Sequence, residues 1–264
     1  MPADALFLPD GDATFVPTSG AVGPWDARIV HGAAVVALLT GRLTPAEGTM
    51  ARVTVDFLRP VPMGPLDLDL ADLGGGTRAQ RHRAVLTSDG QEVAAAESVV
   101  LRAGALELPP KALGHPTPFD PAAAPPLDEP NHAAAEVVGH ESYDSESAVF
   151  VPMRVEGDRR VHAWISLALP VVAGSPLLGT ELAAAAADYA QTAVHRQLPF
   201  AEWSFRNTEQ TIHFSRPPVG RWVGLRSDAL VQPVGAGFSA ADLFDADGWV
   251  ARTAAAVVVE RRPT

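Results

Sequence analysis

Phe57-Leu58-Arg59-Pro60 in the first half of the chain returns as Phe214-Ser215-Arg216-Pro217 in the second, 216 − 59 = 157 residues later. The same offset carries Val93-Ala94, which follow the turn pair Asp89-Gly90, onto Val250-Ala251, which follow Asp247-Gly248, with one residue of slippage at the turn. Matches at three ordered places indicate a duplicated unit. Between the copies, Pro109 to Pro130 holds eight of the 24 prolines and shows no periodicity, so it reads as an extended linker. The chain therefore divides into an N-terminal domain over 1–108, a Pro-rich linker over 109–135 and a C-terminal domain over 136–264.

Both copies show the same order of elements. Val53, Val55 and Phe57 alternate with Arg52, Thr54 and Asp56, and Leu66, Leu68 and Leu70 alternate with Asp67 and Asp69, a period of two that marks half-buried strands. Strands near Ala79 to Thr87 and Val93 to Arg102 follow, joined by the hairpin signal Asp89-Gly90. The second half repeats the set at Gln210 to Arg216, Trp222 to Leu230, Gly237 to Phe244 and Val250 to Glu260. Further strands are expected ahead of the helices at Ala5 to Leu8, Ala13 to Val16, Ala148 to Val155 and Val161 to Leu169. The short connections imply mainly antiparallel sheet.

One helix precedes the main strands in each half. Gly32 to Leu39 carries no charge, and Ala183 to Ala190 carries only Asp188. A helix apolar all round is buried, and its small residues let a curved sheet approach from several sides. The expected class is α+β, two antiparallel sheets each wrapped around a central apolar helix, with the open edge of each half covered by pairing to the other.

Composition narrows the chemistry. With 47% hydrophobic and 19% charged residues and no apolar run near the ~20 residues of a bilayer span, the chain is expected to be a soluble globular protein. The segment Met1 to Asp10 has no basic residue ahead of its short apolar stretch and does not read as a secretory signal. The absence of cysteine excludes disulfides, a thiol nucleophile and thiolate metal sites and suits a cytoplasmic protein. A net charge of −11 opposes binding to nucleic acid or anionic membrane. No nucleophile elbow, phosphate loop or His-Glu-x-x-His is present, and His132 and His140 lack metal-ligand spacing. No metal or organic cofactor is expected.

Taken in order, Gly23-Pro24-Trp25 leading to His31-Gly32, Phe57-Leu58-Arg59-Pro60, Asp188, Phe214-Ser215-Arg216-Pro217, and Ala236-Gly237-Phe238-Ser239 through Phe244-Asp245 to Asp247-Gly248 resemble the thioesterase II-type branch of the hotdog superfamily across nearly the whole chain. The resemblance implies a tandem double hotdog that hydrolyses acyl-CoA thioesters, paired by family analogy into a homodimer. It also implies an attacking water held by a second-half aspartate, by a hydroxyl or amide residue before the following strand, and by a glutamine near the C-terminal strand. The aspartate matches Asp188 and the amide position falls on Asn207. The glutamine position falls at about Ala255, whose methyl group cannot hold water. That departure motivates a non-catalytic acyl-thioester binding protein as an alternative, and an enoyl-thioester hydratase is a second one.

Each candidate has a plainer reading. Asp188 is either the base that deprotonates water or a solvent-facing helix residue. His31 lies 157 residues before Asp188 and is expected at the matching site of the first copy. There, His31-Gly32 opens the helix toward a developing oxyanion, or the histidine caps the helix or fills a gap. Asn207 positions water or closes a turn. Arg59 and Arg216 either bind CoA phosphates or, the favoured reading, hold strand ends.

Overall fold

The computed structural model describes residues 3–102, 104, 106–109, 134–156 and 160–262. Thirteen strands and five α-helices follow in the order β1 (Phe7–Asp10), β2 (Thr14–Pro17), α1 (Gly32–Leu43), β3 (Thr49–Phe57), β4 (Leu66–Gly75), β5 (Ala79–Ser88), β6 (Gln91–Leu101), α2 (Ala134–Val138), α3 (Tyr143–Glu146), β7 (Ala148–Glu156), β8 (Arg160–Leu167), α4 (Gly179–Asp188), α5 (Thr192–His195), β9 (Trp203–Asn207), β10 (Glu209–Phe214), β11 (Val223–Val231), β12 (Ala236–Asp245) and β13 (Gly248–Arg261). The sheet runs β1-β2-β4-β5-β6-β3-β10-β13-β12-β11-β8-β7, with β9 pairing β13 off this path. The two halves thus carry the same strand order, reflected about the β3–β10 junction. Most of the 109–135 linker, residues 110–133, lies outside the described residues.

The junction shows why a duplicated unit pairs edge to edge. Thr54 sits opposite Thr211, with Arg52 opposite His213 and Asp56 opposite Glu209. Adding 157 takes Arg52 to Glu209 and Asp56 to His213, and Glu209 pairs with Asp56 while His213 pairs with Arg52, so the two copies meet across a local two-fold. At its centre the hydroxyls of Thr54 and Thr211 lie 3.1 Å apart. This pairing covers the inner edge of each half with backbone hydrogen bonds.

The helices lie inside the curved sheet. Ala33 to Leu39 of α1 and Ala183 to Ala187 of α4 are fully buried. The two helices run antiparallel, so that Gly32 lies against the carboxylate of Asp188 at one end and Gly41 against that of Glu181 at the other. Alanine and glycine at the contact allow this approach. The turn Asp89-Gly90 has φ of 50° and 73°, the left-handed geometry of a two-residue hairpin, and joins β5 to β6 as the dipeptide predicts.

The helices repeat at a different interval from the strands. Gly32 opens α1 and Gly179 opens α4, an offset of 179 − 32 = 147. The connection to the junction strand is ten residues longer in the second half, where it includes α5 and most of β9. This corrects the expectation that His31 and Asp188 occupy matching sites. The equivalent of Asp188 is Gly41, and His31 precedes its helix whereas Asp188 ends its own. The two residues meet because the helices are antiparallel. At the opposite end Glu181 turns back to accept the Leu178 N–H at 2.8 Å.

Arg216 settles as a structural residue. Its guanidinium donates to both carboxylate oxygens of Asp245 at 2.5 and 2.6 Å. The buried Asp245 also accepts the Val219 and Asp247 N–H groups. Arg216 is 34% exposed and Asp245 keeps its two backbone donors, so loss of the guanidinium costs less than breaking a fully buried pair, about 1–3 kcal/mol. Arg216→Ala is expected to lower the unfolding free energy in urea by about that amount.

Candidate functional site

A cavity of about 260 Å³ opens where the α1 N-terminus, the α4 C-terminus, the end of β3 and the end of β9 converge. Apolar side chains from Trp25, Ile29, Phe57 and Val258 line much of it, and its polar groups come from His31, Gly32, Asp188, Gln191 and Asn207. The structure therefore brings together His31, Gly32, Asp188 and Asn207 from the sequence candidates, leaves Arg216 off the wall, and adds Gln191. Arg59 is also on the wall, its guanidinium donating to the Glu92 carbonyl at 2.6 Å. Ala255 is not: it is buried in β13 opposite Ser239, and that strand reaches the cavity through Val258.

Asp188 is 2% exposed and held on every side. Asn207 Nδ2 donates to its Oδ1 at 2.8 Å, and Gln191 Nε2 donates to its Oδ2 at 3.3 Å. The Ala33 N–H, which donates to His31 Nδ1, also favours the ionised carboxylate. Burial raises the pKa of Asp188, and the lowering by His31, Asn207 and Ala33 is too weak to cancel it. The carboxyl group is thereby a stronger base than an exposed aspartate.

Beside it, His31 is the N-cap of α1. Its Nδ1 accepts the Ala33 N–H at 3.0 Å, which places the ring proton on Nε2, 3.4 Å from Asp144 Oδ2. Nδ1 lies 3.6 Å from Asp188 Oδ2. The ring stacks on Tyr143 with centroids 4.5 Å apart, and Tyr189 donates its hydroxyl to Asp144 Oδ1 at 2.6 Å. Burial lowers the pKa of His31 while the facing carboxylates of Asp144 and then Asp188 raise it, leaving it above the ordinary value. For Asp144, burial raises the pKa but His31 and Tyr189 outweigh it and hold the carboxyl below its ordinary value.

The peptide N–H of Gly32 opens α1, where the helix dipole is positive. Among the described residues it has no assigned acceptor. A Cβ on Gly32 would stand 3.1 Å from Asp188 Oδ1, so the glycine permits the helix start and the carboxylate to share one cavity wall. The pocket combines a buried, basic carboxylate, two amides and a helix N-terminus beside an apolar wall. This suits attack of water on a polarised carbonyl. Among the described residues, no group of three or more His, Asp or Glu side chains is placed to hold a metal ion.

Asp144, Tyr143, Tyr189 and Gln191 escape a reading of motifs. Gln191 alone has a sequence signal, its position three residues after Asp188 at a helix end, where such side chains are neighbours.

The family model for the acyl-CoA thioesterase C-terminal domain matches residues 116–259, and that for the acyl-CoA thioesterase N-terminal domain matches residues 21–104. No curated protein sequence matches the chain. Among solved structures, it is similar to a hot dog fold protein of unknown function from Alicyclobacillus acidocaldarius (16% identity, 99% and 98% of the two chains covered, TM-score 0.69). It is also similar to a tesB protein from Mycobacterium avium subs paratuberculosis (17% identity, 97% and 96% covered, TM-score 0.64). A third is the acyl-CoA thioesterase II TesB2 from Mycobacterium marinum (13% identity, 95% and 92% covered, TM-score 0.61). At these identities the structures speak for the fold, and the two family models, which between them match both halves, show that the chain belongs to the acyl-CoA thioesterases.

Proposed function

We propose that the protein hydrolyses an acyl-CoA thioester by water that Asp188 deprotonates. The observation that carries this reading is the clamped, buried Asp188 beside the N–H of Gly32, which has no assigned acceptor among the described residues, at a helix N-terminus. A thioester carbonyl placed against that N–H would have its developing oxyanion stabilised by a fixed donor and the helix dipole. Water on Asp188 donates one hydrogen to the carboxylate and the other to the Asn207 carbonyl, and its lone pair attacks the carbonyl carbon. The tetrahedral intermediate then expels the thiolate, which takes up the proton that Asp188 removed from water, leaving the free acid and the carboxylate restored. In this reading His31 caps α1 and keeps its first turn open, and the acyl chain lies against Trp25, Ile29, Phe57 and Val258.

The test is product analysis with acyl- and enoyl-CoA substrates. Equimolar free acid and CoA thiol support hydrolysis. Loss of the enoyl double bond with the thioester intact would replace this reading by hydration. Saturable binding without conversion would replace it by a binding protein.

A pH profile adds an independent check. The base works only when ionised, and burial raises the Asp188 pKa, so kcat/KM falls as pH drops through a value above the ordinary carboxylate 3.8. Removing a donor that favours the carboxylate raises the pKa further. In Asn207→Ala the acidic limb is expected to move to higher pH, and an unmoved limb would show that Asp188 does not set it.

A further inference from the structure

Asn207 and Gln191 each give one N–H to Asp188, and each leaves its carbonyl oxygen buried with no partner among the described residues. Together with the carboxylate, three acceptors thus cluster on residues that line the cavity. A water molecule has only two hydrogens. If one goes to Asp188 and one to an amide, the other amide carbonyl needs a further donor, because a buried acceptor left without one is costly. Resting on the thioesterase reading, we propose that Gln191 Oε1 accepts an N–H from the thiol arm of the substrate. This makes Gln191 a specificity-determining residue for thioesters whose thiol carries an amide a few bonds from the sulfur.

The two amides are not equivalent. Asn207 is short, ends β9 and is fixed on Asp188 Oδ1 by the closer bond, so it is suited to hold the water. Gln191 closes the single helical turn Tyr189–Gln191, has a longer side chain and makes the looser contact of 3.3 Å. It lines the same cavity and can turn its carbonyl toward a ligand while its amide nitrogen stays near Asp188. A CoA arm places a secondary amide close to the sulfur, within reach of an acceptor beside the reacting carbonyl.

The experiment uses the full chain and two thioesters of one acyl group. One is the N-acetylcysteamine thioester, and the other is its analogue with CH₂ in place of the amide N–H. One neutral hydrogen bond corresponds to a preference in kcat/KM of about three- to tenfold for the amide. The native protein is expected to show that preference, and Gln191→Met to lose it, whatever the change in overall rate. If Gln191→Met does not fold, Gln191→Asn, which withdraws the carbonyl by one methylene, is held to the same ratio. Turnover of both thioesters with a ratio that the substitution leaves unchanged overturns this inference alone, and Gln191 then acts only through Asp188. Turnover of neither thioester by the native protein overturns the hydrolytic reading and this inference with it.

Discussion

Asp188→Asn is expected to lower kcat for thioester hydrolysis by about 10²- to 10⁴-fold, the range that a positioned general base contributes. KM should change little, because the substitution keeps the size of the side chain and its place between Asn207 and Gln191. The same variant should be more stable at neutral pH. Burial holds the Asp188 pKa above the unfolded value, so the folded state favours the protonated form. As pH rises from the unfolded pKa through the folded one, ionisation therefore costs stability. A neutral amide removes that cost. Loss of activity with a gain in the urea midpoint would identify Asp188 as a group kept for chemistry at the expense of stability. Loss of both together would identify a structural residue.

Gly32→Ala is the second large effect. The backbone of Gly32 does not adopt a left-handed conformation, and alanine favours helix over glycine by up to about 1 kcal/mol. The fold should therefore tolerate or welcome the change. The new methyl group would meet Asp188 Oδ1 at 3.1 Å and Oδ2 at 3.5 Å. The carboxylate must yield by a few tenths of an ångström, straining its 2.8 Å bond from Asn207. Displacements approaching an ångström cost reactions on the order of 10²-fold, so a fall of roughly tenfold or more in kcat is expected with unchanged or higher thermal stability. An active Gly32→Ala would mean that the thioester is attacked elsewhere.

Much of the architecture was legible because alternation in a half-buried strand is a local property. Val53, Val55 and Phe57 in β3 and the Leu66 series in β4 declare their faces without knowledge of their partners. The apolar helices were equally plain, since only a buried helix can omit charge from Gly32 to Leu39. β9 was missed because Trp203 to Asn207 is short and follows Pro199, leaving little periodicity to read.

The candidate site was legible in part. Asp188 stood out as a lone charge in an alanine run, Asn207 followed from the resemblance, and Gly32 from its place at the opening of the apolar helix. The symmetry drawn between His31 and Asp188 was mistaken for a physical reason. The repeat was measured on strands, and a ten-residue difference between helix and junction strand shifts the helices to an offset of 147. The two residues meet through antiparallel helix packing, a tertiary fact. The pairing of His31 with Asp144 is of the same kind, because it requires α3 to fold back over the loop before α1, where the Tyr143 N–H donates to the Val22 carbonyl. Gln191 matters through the direction of its amide, which no spacing specifies.

We propose that the cavity beside Asp188 performs acyl-CoA hydrolysis. Its most direct test is release of free CoA thiol from a panel of short- to long-chain acyl-CoAs by the native protein, with folded Asp188→Asn in parallel at equal concentration. Turnover of at least one acyl-CoA by the native protein and its near loss in the variant are expected. Tight acyl-CoA binding with no thiol released from any member of the panel, or equal turnover by both proteins, would contradict it.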